Sequence, residues 1–217
     1  MQHAKQNLPR NSTNRARTYA TAAAITALFV LGIGANTGPA VAASATSTAF
    51  VQSKGAEAIG ILSNASVPEA DRRAKFSNIV LQTFDVAMVG RAVLGSYLTK
   101  ASPEQLAKFL AVFKDALAQI YVGRFFDYDG QSLQVKGSRQ GDGGTTIVES
   151  SVATPTGNDV HNVDWVIVGA AGSERLIDVV VDGISTNATT QQDYASVLRS
   201  ANGNLDTLTA KLQAMVQ

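Results

Sequence analysis

Cysteine is absent from all 217 residues. That excludes a disulfide framework, zinc thiolates and a thiol nucleophile at once. Histidine is scarce: His3 stands near the start and His161 deep within the chain. No G-x-S-x-G elbow occurs, so His161 has no hydrolase-type serine to serve. Beside Asn162 and Asp164 in an extended segment it reads as a solvent-facing strand residue. One central histidine without thiols leaves only oxygen ligands for a metal, and no D-x-D-x-D-G calcium loop is present. Gly141–Gly144 lacks the Lys-Ser/Thr of a phosphate loop and reads as a turn that uses positive φ. Carboxylates remain. Asp178 and Asp182 share one strand, four residues and roughly 13 Å apart, beyond the roughly 5–9.5 Å of paired glycosidase acids. They read as exposed or turn-capping groups. Asp127 and Asp129 flank Tyr128 where helix gives way to strand, and are expected to end the helix. No catalytic residue, metal site or cofactor is assigned, and the chain does not read as an enzyme.

Acidic residues are missing from the first 42 positions, which hold Lys5, Arg10, Arg15 and Arg17. An apolar run from Ala20 to Ala35 follows the basic stretch, then Asn36-Thr37-Gly38-Pro39 and the small residues Ala40-Val41-Ala42. That order is the pattern of a secretory signal peptide cleaved after Ala42. The run of about 16 residues is shorter than the roughly 20 that span a bilayer. Residues 43–217 are then a single domain with a hydrophobic core. They hold 14 of the 18 basic residues and all 17 acidic ones, a net charge of about −3. Without basic clusters such a domain is a poor match for nucleic acid or for anionic lipid surfaces.

The periodicities predict helices first, strands next and helices last. Residues 43–47 read as a flexible start. Helical spacing runs from Thr48 to Asn64, then through Phe76, Ile79, Val80 and Phe84 after a Ser66-Val67-Pro68-Glu69 capping pattern. A third helix covers Val86 to Leu98. The fourth opens on the capping box Ser102-Pro103-Glu104-Gln105 and carries an apolar stripe from Leu106 through Phe109 and Phe113 to Tyr121. Leu133 and Val135 then alternate with polar residues, and strands are expected over Thr145–Ala153, His161–Val168 and Arg175–Gly183, with short turns between them. Helices return over Thr190–Ser200 and Leu205–Val216. This is the α+β order: a twisted antiparallel sheet of about four strands with helices on one face. On the last strand, Leu176, Val180 and Ile184 are expected on one face, and Ile177, Val179 and Val181 on the other.

Three segments carry a likeness. Phe84-Asp85 leading through Leu94-Gly95-Ser96-Tyr97 resembles a hallmark of the MlaC, or toluene-tolerance, family. So does Ser102-Pro103-Glu104-Gln105 with Phe109, Phe113 and a helix ending in Tyr121. The stretch Asp178-Val179-Val180-Val181-Asp182-Gly183-Ile184-Ser185, followed by a helix with Tyr194, is similar to that family's last strand. Arg175-Leu176-Ile177 and Thr189-Thr190-Gln191 depart from its pattern. The resemblance covers about residues 45–216. It implies a periplasmic phospholipid shuttle between an outer-membrane lipoprotein–porin complex and an inner-membrane ABC transporter, keeping outer-membrane lipid asymmetry. The acyl tails would lie in an apolar cavity between sheet and helices.

Physics agrees with such a role. At roughly 0.8 kcal/mol per methylene, exposing two chains of about 15 methylenes costs on the order of 20 kcal/mol. A dry cavity removes that barrier and needs no catalytic residue. The expected lining is Leu94, Tyr97, Phe113, Tyr121, Trp165, Val179 and Val181. Three other readings fit the residues. One is a carrier for a hopanoid or another hydrophobic ligand. Another is a cone-shaped enzyme of the steroid-isomerase type, with Asp164 facing into the pocket. The third is an assembly factor whose apolar stripe docks a partner helix.

Overall fold

The structure is a computed structural model that describes residues 39–126, 129–157 and 160–217. The expected leader thus lies outside the described residues except for Pro39–Ala42, as do Asp127 and Tyr128. Six helices and five strands follow in order: α1 (Pro39–Leu62), α2 (Glu69–Thr83), α3 (Val86–Leu94), α4 (Pro103–Phe125), β1 (Ser132–Gln140), β2 (Thr146–Ala153), β3 (Val160–Val168), β4 (Arg175–Val181), β5 (Ile184–Ser185), α5 (Thr186–Ser200) and α6 (Leu205–Val216). A 3-10 turn over Gly95–Lys100 continues α3. Contacts join the described residues into one compact unit. The α+β order holds.

The helix starts follow local chemistry. Asp85 caps α3 by accepting the Met88 N–H at 2.9 Å. At α4, Ser102 Oγ accepts the Gln105 N–H while Gln105 Oε1 accepts the Ser102 N–H, each at 3.1 Å. This reciprocal box satisfies two donors that the helix cannot. The pattern at Ser66 works differently. Pro68 occupies the cap position of α2 without a side-chain bond, and Ser66 Oγ donates instead to Asn64 Oδ1 at 2.5 Å.

Residues 43–47 are helical rather than a loose start. Alanine suits helix here, and Thr48 Oγ1 donates to the Ser44 carbonyl at 2.9 Å and to Ser138 Oγ of β1 at 3.1 Å. Ser44 and Ser138 hydroxyls also meet. This hydroxyl cluster moors α1 to the sheet.

The strands form an antiparallel meander in the order β1-β2-β3-β4-β5. The fifth strand, beyond the four expected, is two residues that turn back on β4 through Asp182 and Gly183, at φ of 49° and 81°. An Asp-Gly pair is suited to that left-handed turn. Two bulges reset the faces. Opposite β2, Lys136 is unpaired between Val135 and Gly137. Opposite β3, Ile177 is unpaired between Leu176 and Asp178. An extra residue reverses the alternation, so Leu176, Val179 and Val181 pair with Ile167, Trp165 and Val163 on one face. The expected split of Leu176 from Val179 fails for this reason.

That inner face carries the core. Val148, Val163, Ile167, Leu176 and Val179 are buried there with Phe109, Phe113 and Leu117 of α4. Phe109 and Phe113 stack at 5.4 Å, and Tyr194 of α5 meets both edge-on at 6.3 and 6.4 Å. Both phenylalanines are fully buried, worth about 2–3 kcal/mol apiece in area removed from water. On the outer face Glu149 and Asp164 stand directly opposite each other. Arg139 bridges them, with Nε 2.8 Å from Glu149 and Nη2 3.3 Å from Asp164, offsetting the repulsion of cross-strand like charges.

Candidate functional site

Between the inner face of the sheet and the α1–α2 pair lies a cavity of about 400 Å³. One turn after another of α1 contributes Val51, Ala58 and Leu62, and α2 contributes Phe76, Ile79, Val80 and Thr83. Phe84 follows α2, Tyr121 comes from α4, and Leu133, Val152, Trp165 and Leu176 rise from successive strands. The α2 spacing that places Phe76, Ile79, Val80 and Thr83 on one face is i, i+3, i+4, i+7, and all four are buried.

The walls are graded from end to end. Phe76, Ile79, Val80, Phe84, Tyr121 and Leu176 are buried and define the inner end. Lys54, Gln131, Ser132, Thr154 and His161 also border the cavity, and they are exposed or half-exposed. They define its mouth. The row Leu133↔Val152↔His161 crosses three strands at this end. Gly55 allows α1 to close over it, since a Cβ there would collide with Leu133 Cδ2.

Polar atoms inside are mostly turned to the protein. The Trp165 indole N–H donates to Ser150 Oγ at 2.8 Å, and Ser150 donates to the Val163 carbonyl at 2.9 Å. The ring is thereby fixed with its apolar surface toward the cavity. Phe84 and Tyr121 pack at 4.7 Å. Thr83 is the exception: its hydroxyl is buried without a hydrogen-bond partner. Two arginines brace the wall from behind. Arg72 donates to the Leu62 carbonyl at the end of α1, at 2.7 Å, and Arg72 and Arg73 lie 5.2 and 3.9 Å from the Phe126 ring.

Of the seven residues expected to line a cavity, Tyr121 and Trp165 border this one. Phe113 and Val179 lie in the packed core, at 0% and 1% exposure. Val181 packs against that core from its edge. Leu94 and Tyr97 lie elsewhere, beside a hollow shared with Gln191, Gln192 and Arg199. One cause underlies these differences. The α4 stripe and the middle of β4 meet α5 and α6, so their side chains fill core space, and the open space is left where α1 and α2 cover the sheet. The α2 residues were legible as an apolar face, but periodicity does not say what a face meets.

The histidine and acids also find places. His161 Nδ1 lies 2.6 Å from Asp182 Oδ2, and Asp182 also accepts the Asn162 N–H at 2.9 Å. Those hydrogen bonds, His161's first, hold the Asp182 carboxyl below its ordinary value. Asp178 organises the start of α5: it accepts Ser185 Oγ at 2.5 Å, Thr186 Oγ1 at 3.0 Å and the Asn187 N–H at 3.1 Å. Asp164 stands on the outer face with Arg139, away from the cavity that an isomerase base would face. Among the described residues no group of three metal-ligating side chains converges, and no helix is long and apolar enough to cross a membrane.

A family profile described as MlaC protein matches residues 52–214. The chain belongs to the MlaC family. A curated relative, the toluene tolerance protein Ttg2D of Pseudomonas putida, is 29% identical over 112 residues, which are 51% of this chain and 51% of that protein. The chain thus spans about half the length of that relative in the match. Among solved structures, a phospholipid-binding protein from Ralstonia solanacearum, in complex with a phospholipid, aligns with a TM-score of 0.64 at 20% identity. That alignment covers 78% of this chain and 97% of the other, so the two proteins share the fold described above.

Proposed function

We propose that the protein is a periplasmic phospholipid carrier, exported by a cleaved leader over residues 1–42, that shuttles lipid between the outer and inner membranes. The observation that carries this reading is the graded cavity: buried apolar walls at one end and a polar, solvent-facing mouth at the other. An amphiphile fits such a space with its tails inward and its head at the mouth. Burying methylenes there offsets the roughly 0.8 kcal/mol each costs in water. Membership of the MlaC family supports the reading, as does the phospholipid held by the Ralstonia protein of the same fold. Its partners in this reading are an outer-membrane lipoprotein–porin complex and an inner-membrane ABC transporter, and its task is to maintain outer-membrane lipid asymmetry. Carriage requires binding and release, not bond chemistry, and Asp164 on the outer face is badly placed to serve as a base.

The test is to purify the protein from its native compartment without detergent and identify its cargo by native and denaturing mass spectrometry. A stoichiometric diacyl phospholipid is expected. A hopanoid would keep the carrier class and change the pathway. A protein that stays empty after incubation with phospholipid vesicles would overturn the proposal.

A further inference from the structure

The cavity mouth brings two basic side chains together. Among the described wall residues the basic side chains are Lys54 and His161, and no carboxylate is among them. Gln131, Ser132 and Thr154, which complete the rim, can each donate a hydrogen bond. Lys54 projects from α1 beside Gly55, which closes on Leu133. His161 sits two strands away in the same cross-strand row, on the order of 10 Å across the sheet. The two bases therefore approach one opening from helix and sheet.

Resting on the carrier reading, we propose that Lys54 and His161 form an oxyanion clamp for the head of an acyl lipid. The oxyanion is the phosphodiester of a diacyl lipid or the carboxylate of a fatty acid.

Each base already holds a carboxylate outside the wall: Glu57 lies 2.8 Å from Lys54, and Asp182 lies 2.6 Å from His161. Both pairs are partly exposed, where ion pairs are weak and readily exchanged. An oxyanion delivered by tails seated in the cavity is held at high local concentration and competes well with them. When it leaves, Glu57 and Asp182 take the bases back, so neither base is left facing an empty mouth without its carboxylate. The clamp thus fixes which end of the amphiphile faces out and leaves the tail chemistry open.

The test compares lipids that differ only in the head. The delipidated protein is incubated with phosphatidylcholine vesicles containing equal dioleoylphosphatidylglycerol and dioleoylglycerol, and separately with oleate and oleyl alcohol. Bound lipid is counted by native mass spectrometry. The unaltered protein is expected to favour the charged member of a pair by about threefold to fivefold, the scale of a partly exposed ion pair. The Lys54→Gln/His161→Gln variant is expected to lose that preference while still loading dioleoylglycerol, which also reports that it folds. Preference in the diacyl pair alone assigns the clamp to phosphodiester, and preference in the oleate pair alone assigns it to carboxylate. Equal binding of charged and neutral lipid, or a preference that survives both substitutions, overturns the clamp and leaves the carrier reading standing. Failure of every lipid to bind overturns both.

Discussion

Thr83 places a hydroxyl in the largely apolar wall of the cavity, and the hydroxyl has no hydrogen-bond partner. The side chain is 4% exposed. Leaving such a group unpaired costs about 1–3 kcal/mol of stability. Thr83→Val keeps the branched shape, changes helix propensity little and replaces the hydroxyl by a methyl. The expected gain is about 1 kcal/mol, which for a chain of this size raises Tm by about 2–4 °C. Thr83→Ser is the opposing control. It keeps the unpaired hydroxyl and removes a buried methyl, so it is expected to cost about 1 kcal/mol. Denaturant melts of delipidated protein, read as midpoint at constant slope, order the three as valine, threonine, serine. A valine variant less stable than the parent would refute the reasoning, because it would mean the hydroxyl is paired in solution, by water or by a shifted neighbour. Lipid loading of the valine variant is expected to be undiminished.

Gly90→Ala, normally favourable in a helix by about 1 kcal/mol, is expected to destabilise instead, by about 1 kcal/mol net. Its Cβ would lie 2.6 Å from Leu110 and 2.9 Å from Phe113 in the packed core; a more stable variant in thermal melts would count against the packing described. Tyr194 is pushed up to about 12, by burial first and Asp193 second. Because the unfolded phenol loses its proton near 10 and the folded one does not, its contribution is intact below that pH. It is lost as the pH rises towards 12, on the order of 2–3 kcal/mol in all. Tyr194→Phe removes this slope, which denaturation at graded alkaline pH reads directly. Asp182 behaves oppositely: its contribution is present above 3.8 and is lost as the pH falls through its lower folded value. Asp182→Asn should flatten that acid limb.

The parts of the fold written in local chemistry were legible. The Ser102–Gln105 box, the α4 stripe and the strand turns each depend on near neighbours, and β2, β3, α5 and α6 lie within a few residues of where pattern puts them. What local pattern could not carry was parity and partnership. One unpaired residue at Ile177 moved Leu176 onto the face of Val179, and nothing in its sequence marks it. The apolar stripes that hold Phe76 and Phe113 look alike whether they meet a cavity or a core; only the tertiary position of α1 and α2 separates the two. The mouth was hidden for the same reason. Lys54 is an ordinary helix lysine and His161 an ordinary strand histidine until α1 is laid across β1 and β3 is paired beside β2.

The claim that the α1–α2 side of the sheet holds the acyl chains is tested most directly by photolabelling. The protein is loaded with a phospholipid bearing a diazirine near the tail end, irradiated, digested and mapped by mass spectrometry. Labels are expected on Ile79, Val80, Phe84, Trp165 and Leu176, which border the inner cavity. Labels concentrated instead on Leu94, Tyr97 and Arg199, around the separate hollow, would contradict the account.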